Sequence, residues 1–147
     1  MLRLVGKVAV ITCGARGIGA ATSKLFVENG AHFIIADVLD AEGTKVAELI
    51  DGFYVYCDMS KESDIESAIN LSISWKDQLE IIEQLSEFIG MDESLLKGRG
   101  ATTDDVAQAV LFLASNESGF VAAHNLSVDG GITYANSAMS FIYQDPK

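Results

Sequence analysis

Apolar runs and amphipathic stretches alternate along the chain, and their periods predict its elements. Lys7 to Thr12 (KVAVIT) is a continuous β-rich apolar run, the pattern of a strand buried on both faces of a parallel sheet. A glycine-rich turn follows, after which Ile18, Ala21 and Leu25 recur at helical spacing until Asn29-Gly30 supplies a stop. His32 to Ala36 (HFIIA) predicts a second strand ending on Asp37. Asp40 then offers an N-cap to a helix through AEGTKVAELI, with Val46, Leu49 and Ile50 inward and Gly52 past its end. Phe53 to Cys57 (FYVYC) predicts a third strand, ending on Asp58, and Ser60 is placed to cap a helix whose apolar stripe is Ile65, Ala68, Ile69 and Ile73.

Leu79 to Ile82 (LEII) begins a fourth strand, and EQLSEFIGMDESLLKGRGA reads as a short helix and a glycine-punctuated loop. Thr102 with Asp105 has the form of a capping box, opening a helix with Val106, Ala109, Val110 and Leu113 on one face. A last strand is expected at His124 to Val128, closed by Asp129-Gly130-Gly131, with a tail from Tyr134 that frays or wraps the surface. Strand and helix alternate, so the fold class is α/β, a doubly wound parallel sheet of about four to five strands with helices on both faces. The chain is expected to form one domain, with residues 1–82 as a nucleotide-binding block and 83–147 as a C-terminal helix and strand block.

The charge changes what this fold can serve. A net charge of −11 and a pI near 4.4, with ten scattered Lys and Arg, argue against a nucleic-acid surface. The N-terminus MLRLVGKVAV lacks a secretory core, and no apolar run approaches the roughly 18 residues of a membrane span, so a cytoplasmic protein without a membrane partner is expected. Cys13 and Cys57 fall at the ends of strands separated by a third, about two strand spacings or roughly 9 to 10 Å apart, beyond disulfide reach. They read as reduced packing residues; His32 and His124 each stand alone, and no cluster has metal-ligand spacing.

The chemistry gathers after the first strand, in ITCGARGIGAATSKLF. Backbone N–H groups at a helix start face outward, and a turn without side chains lets a pyrophosphate reach them, aided by the helix dipole. Gly14, Gly17 and Gly19 keep the backbone open, and Arg16 adds positive charge. A tight turn needs glycines too; the context adds Asp37, 18 residues after Gly19 at the tip of the second strand, where an acid accepts hydrogen bonds from an adenosine ribose. A carboxylate there repels a 2′-phosphate, so NAD is expected over NADP, with Arg16 keeping NADP open.

These residues together resemble the short-chain dehydrogenase/reductase family, whose signature Thr-Gly-x-x-x-Gly-x-Gly stands here as Thr12-Cys13-Gly14-Ala15-Arg16-Gly17-Ile18-Gly19. The resemblance continues through IIADV and CDMS and resumes in GRGATTDDVAQAVLFLASNESGFVAAHNLSVDGG, with wording closest to plant dehydrogenases of specialised metabolism. It implies an incomplete Rossmann-like sheet and a dinucleotide held by Gly14, Arg16, Gly17, Ile18 and Gly19, by Asp37 and Val38 at the ribose, and by Asp58 and Met59 near the adenine. Cys13 replaces the first signature glycine, and weakened binding is expected if close packing there needs a residue without a side chain.

The two blocks join at about Ile82-Glu83, where the family's catalytic serine, its Tyr-x-x-x-Lys pair and its nicotinamide loop are missing, so no catalytic residue carries over. One literal Tyr-x-x-x-Lys, Tyr143 to Lys147, contains Pro146 and does not suit a shared helix face. The resemblance implies an NAD(H)-dependent oxidoreductase of secondary alcohols or ketones, catalytically impaired. Alternatives are a non-catalytic nucleotide-binding or subunit-interaction module, forming homo-oligomers or pairing with full-length relatives, and a shortened gene product without function of its own. If the family's central strands are lost, the last strand is expected to close against LEII or the first strand, with a partner chain over the remaining edge.

Overall fold

The structure, a computed structural model, describes residues 1–76, 81–84, 102–122 and 126–130. Four strands, β1 (Val8–Thr12), β2 (His32–Asp37), β3 (Phe53–Tyr56) and β4 (Ile81–Gln84), form a parallel sheet in the order β3-β2-β1-β4. The connecting helices are α1 (Gly17–Glu28), α2 (Asp40–Leu49) and α3 (Glu62–Lys76); α4 (Thr103–Ala114) and a short 3-10 turn at Asn116–Ser118 follow. All four strands run the same way, so the C-terminal ends of β1, β2 and β3 lie on one rim of the sheet. The doubly wound α/β reading holds.

Alternation along the central strands sends side chains to two cores. Ala9, Ile11, Phe33 and Ile35 point to one face, where they pack with Leu4, Phe26, Ala47, Val110 and Leu111, so that face carries α1, α2 and α4. Val10, Ile34 and Ala36 point to the other face and meet Cys57, Ala68 and, from α3, Ile65, Leu71 and Trp75. Every residue of β1 is buried, as its unbroken apolar run requires. At the outer edge, Trp75 stands edge-on to both Phe53 and His32, with ring centroids 4.5 and 5.6 Å away.

Several expectations need correction, each for a local reason. The fourth strand is Ile81–Gln84, two residues later than expected, because register with Ala9 to Thr12 decides its extent; Leu79 lies outside the described residues. The third ends at Tyr56, one residue before Cys57. Asp40 opens α2 as its first helical residue, with Leu39 at the cap, since the Asp40 carboxylate is engaged by Tyr54. Ser60 does not cap α3: its hydroxyl and its N–H both donate to Asp58. Leu49, Leu113 and Ile73 are exposed, and Ala47, Ala107, Leu111 and Ser72 are buried in their helices instead, while Ala68 is buried as expected. Leu111 apart, small residues win those positions because they let a helix approach a twisted sheet closely.

The face of α1 is also turned by one position. Gly19, Thr22, Ser23 and Phe26 are buried, while Ile18, Ala21 and Leu25 are half-buried. The expected last strand is not formed at Leu126–Val128, which are irregular; His124 and Asn125 lie outside the described residues, as do the loop GMDESLLKGRG, Tyr143 and the tail from Tyr134. Among the described residues β1 lies between β2 and β4, and the closure expected of the last strand does not occur through Leu126–Val128. Among the described residues no helix is long and apolar enough to cross a membrane.

Candidate functional site: a glycine turn latched to an acid

The rim of the sheet brings the turn after β1 and the tip of β2 together. Chain entering the turn passes through Cys13, whose φ of 53° is left-handed, and leaves through Gly17 at φ 55°. Gly19 is obligatory for packing: a Cβ there would collide with the backbone carbonyl of Cys13, so the first turn of α1 can sit on the end of β1 only if that residue is bare. At Gly14 a Cβ would lie 3.0 Å from both the Ile11 carbonyl oxygen and the Ile35 side chain. The signature glycines therefore hold the helix start against the strand ends. Of the two expected roles for a glycine turn, close packing is visible directly.

Asp37 fastens this turn to β2. Its Oδ2 accepts the Ala15 N–H at 3.0 Å across 22 residues, and its Oδ1 accepts the Leu39 N–H at 3.1 Å. The carboxylate is buried, with 9 % exposure, yet bonded only to backbone donors in these contacts. Each oxygen has about two acceptor positions, so two bonds leave capacity for hydroxyl donors from a ligand. No side chain caps the start of α1, where Arg16 occupies the cap position with its side chain exposed. A turn backed by helix N–H groups, a flanking guanidinium and a fixed carboxylate is a donor and acceptor set that fits the pyrophosphate and ribose of a dinucleotide.

A second group at the rim was not among the expected residues. The Tyr54 hydroxyl lies 2.9 Å from the Asp37 carbonyl oxygen and 2.7 Å from Asp40 Oδ1, able to donate to either. Burial first, then the bond to Asp40, pushes its phenol well above the ordinary value. The signal in the sequence is a tyrosine one position into a strand, with an acid three residues past the strand-tip aspartate. Val38 between them is exposed.

Asp58 and Met59 lie just beyond β3. Asp58 accepts from the Ser60 hydroxyl at 2.7 Å and the Ser60 N–H at 3.0 Å, and these bonds, with Lys61 3.5 Å away, hold its carboxyl below the usual carboxylate range. Its own N–H donates to Asp64 at 3.1 Å. Met59 packs against the second core, its sulfur 3.7 Å from the Cys57 sulfur. Burial raises the Cys57 thiol, and neither cysteine is in a disulfide. Among the described residues no group of three or more His, Cys, Asp or Glu could hold a metal ion.

Comparison with known proteins bears on this site. A family model described as short chain dehydrogenase matches residues 7–84, and one described as enoyl-(acyl carrier protein) reductase matches residues 81–133. The short-chain dehydrogenase reductase ATA1 of Arabidopsis thaliana is 31% identical over 265 aligned positions, covering 96% of this chain and 97% of that protein. A chain of 147 residues leaves at least 118 of those positions without a counterpart. Momilactone A synthase of Oryza sativa is 45% identical over 83 residues, 54% of this chain, and in that match the chain spans 30% of its relative's length. Among solved structures, a 3-ketoacyl-(acyl-carrier-protein) reductase from Brucella melitensis, complexed with NADH, matches at TM-score 0.52 and 34% identity over 54% of this chain and 33% of that one. The structure of gox2181 covers 90% of this chain and 98% of its own at TM-score 0.76 and 18% identity, which shows the fold.

Proposed function

The chain belongs to the short-chain dehydrogenase family, and we propose that it binds the adenosine and pyrophosphate half of a nicotinamide dinucleotide, NAD(H) in preference to NADP(H), with impaired turnover. The observation that carries this reading is the Asp37 carboxylate, bonded at once to the glycine turn through Ala15 and to the cap of α2 through Leu39. That latch places an acceptor beside the helix start without using all its lone pairs. Ribose hydroxyls satisfy the remaining acceptor positions, whereas a 2′-phosphate would bring negative charge against a fixed carboxylate. In this reading Gly14, Gly17, Ile18 and Gly19 present backbone to the pyrophosphate, Arg16 adds its charge, Val38 borders the ribose, and Asp58 and Met59 border the adenine. A bound nicotinamide would exchange hydride with the carbon of a secondary alcohol or ketone.

Impaired turnover follows from what the chain's own side chains offer. Proton exchange with a substrate oxygen needs a positioned acid or base with a tuned pKa; of the two tyrosines of β3, Tyr54 is held by Asp37 and Asp40, and Tyr56, level with Asp37, is exposed. The non-catalytic binding module is therefore the form of this function that the rim supports best.

Titration of the purified chain with NADH and with NADPH, read by nicotinamide fluorescence and by the thermal midpoint, tests the proposal. Ligand at a hundredfold its Kd stabilises by about 2.7 kcal/mol. A saturable rise with NADH, a smaller one with NADPH, and loss of both in Asp37→Ala are expected, together with no NADH consumption against ketones. A cooperative melt that millimolar NADH leaves unmoved would overturn it.

A further inference from the structure

Resting on that reading, we propose that Tyr54 is a positioning and selectivity residue for the dinucleotide: it ties a second carboxylate, Asp40, to the loop that carries Asp37, so that the adenosine ribose meets two fixed negative charges. The single phenol oxygen reaches both the Asp37 carbonyl oxygen, at 2.9 Å, and Asp40 Oδ1, at 2.7 Å. Asp40 Oδ1 therefore sits no farther from the Asp37 carbonyl than those two distances laid end to end. Without Tyr54, an exposed aspartate at the first position of a helix would sample several rotamers and spend most of its time in water.

The ring is held as firmly as its hydroxyl. Tyr54 pairs in register with Ile35, two residues before Asp37, and leans on α2 at Gly43, where any Cβ would collide with the ring. Gly43, buried in the middle of an exposed helix, costs about 1 kcal/mol of helix propensity relative to alanine. That cost buys room for the ring. A tyrosine that only filled space would not need its hydroxyl aimed at the loop between Asp37 and Asp40.

The charge at this place acts on a specific alternative. The start of α2 has no side-chain cap and would, by its dipole, attract an anion such as a 2′-phosphate. Asp40 and Glu42 in its first turn cancel that attraction. On the opposite side, Arg16 follows Ala15, whose N–H is bonded to Asp37, and would favour a phosphate. Fixing Asp40 through Tyr54 beside the Asp37 carbonyl shifts this balance toward a ribose with free hydroxyls.

Two variants test the inference. Tyr54→Phe leaves the ring on Gly43 and releases Asp40; Asp40→Asn keeps an acceptor for the phenol and removes the charge. Dissociation constants for NADH and NADPH are measured on each by fluorescence titration, beside the thermal midpoint. Tyr54→Phe should weaken NADH about three- to tenfold, the worth of one hydrogen bond, and narrow the preference for NADH over NADPH. Asp40→Asn should tighten NADPH by about the same factor while NADH changes less than twofold. A merely structural tyrosine would lower the midpoint and both affinities together, leaving their ratio fixed. An unchanged ratio in both variants, with a wild-type chain that prefers NADH, overturns the inference and leaves the proposed function standing. Binding of neither dinucleotide by the wild type removes both.

Discussion

Cys13 shows how much one side chain matters where the backbone is already committed. Its φ of 53° is forced by the turn, and a residue with a Cβ in the left-handed region costs about 1–2 kcal/mol. The position favours glycine through its torsion, whereas the expectation of weakened nucleotide binding rested on close packing at a residue that is exposed. Cys13→Gly should raise stability by roughly 1 kcal/mol in urea unfolding, less the extra entropy glycine gives the unfolded chain. Tyr54 gives a pH signature at the same scale. Its folded pKa lies above the ordinary 10.0 because burial and Asp40 disfavour the phenolate, so the stability it contributes is complete below pH 10 and is lost as pH rises from there toward the raised value. Urea midpoints measured from pH 9 to 11.5 should fall more steeply in the wild type than in Tyr54→Phe. Equal slopes would mean that the phenol titrates normally.

Thr22 on α1 tests packing between elements. Its hydroxyl oxygen is fully buried and has no hydrogen-bond partner among the described residues, whereas the neighbouring Ser23 donates to the Gly19 carbonyl at 2.8 Å. Valine has the same shape without the polar atom, and relieving an unsatisfied buried hydroxyl is worth about 1–3 kcal/mol. Thr22→Val is expected to raise the thermal midpoint, and a drop would reveal a polar partner reached by motion. Thr22 also illustrates where the sequence was silent. The strands were legible because β1 and β2 are continuous apolar runs, and the capping box of α4 was legible because Thr102 and Asp105 exchange local bonds, at 2.9 and 3.3 Å. Helix faces were misjudged wherever small or polar residues, such as Gly19, Ser23, Gly43 or Ser72, occupy the buried side, since their burial depends on how close the sheet comes and not on their own hydrophobicity. Within the candidate site Asp37 was legible from its place at a strand tip. Its bond to Ala15 and the engagement of Tyr54 with Asp40 were not, because each joins residues brought together only by strand register.

On the scale of the whole molecule, the described part of the C-terminal block shares its core with residues 1–82. Val110 and Leu111 of α4 lie in one cluster with Leu4, Ile11 and Phe26, and the surface repeats the connection: Arg3 makes two bonds to Glu117, at 2.8 and 2.6 Å, while Lys7 donates to the Ala114 carbonyl at 3.0 Å. Their weights differ greatly. The Arg3 pair has a half-exposed carboxylate, so water screens it and Arg3→Ala should cost at most about 1 kcal/mol. Leu111 is 2 % exposed, and truncating a buried leucine to alanine costs about 2–5 kcal/mol through lost burial and the cavity left behind. Urea unfolding followed by the single tryptophan, Trp75, which stands against Phe53 and His32 at the far edge of the sheet from α4, distinguishes these cases. If the core is shared, Leu111→Ala lowers the midpoint reported by Trp75 although no atom near the tryptophan has changed, and the transition stays single. A Trp75 transition that keeps its midpoint in Leu111→Ala while helical signal is lost earlier would mean that α4 folds apart from the sheet. The rim holding Asp37 and Ala15 would then have to be maintained by the strands and α1 without it.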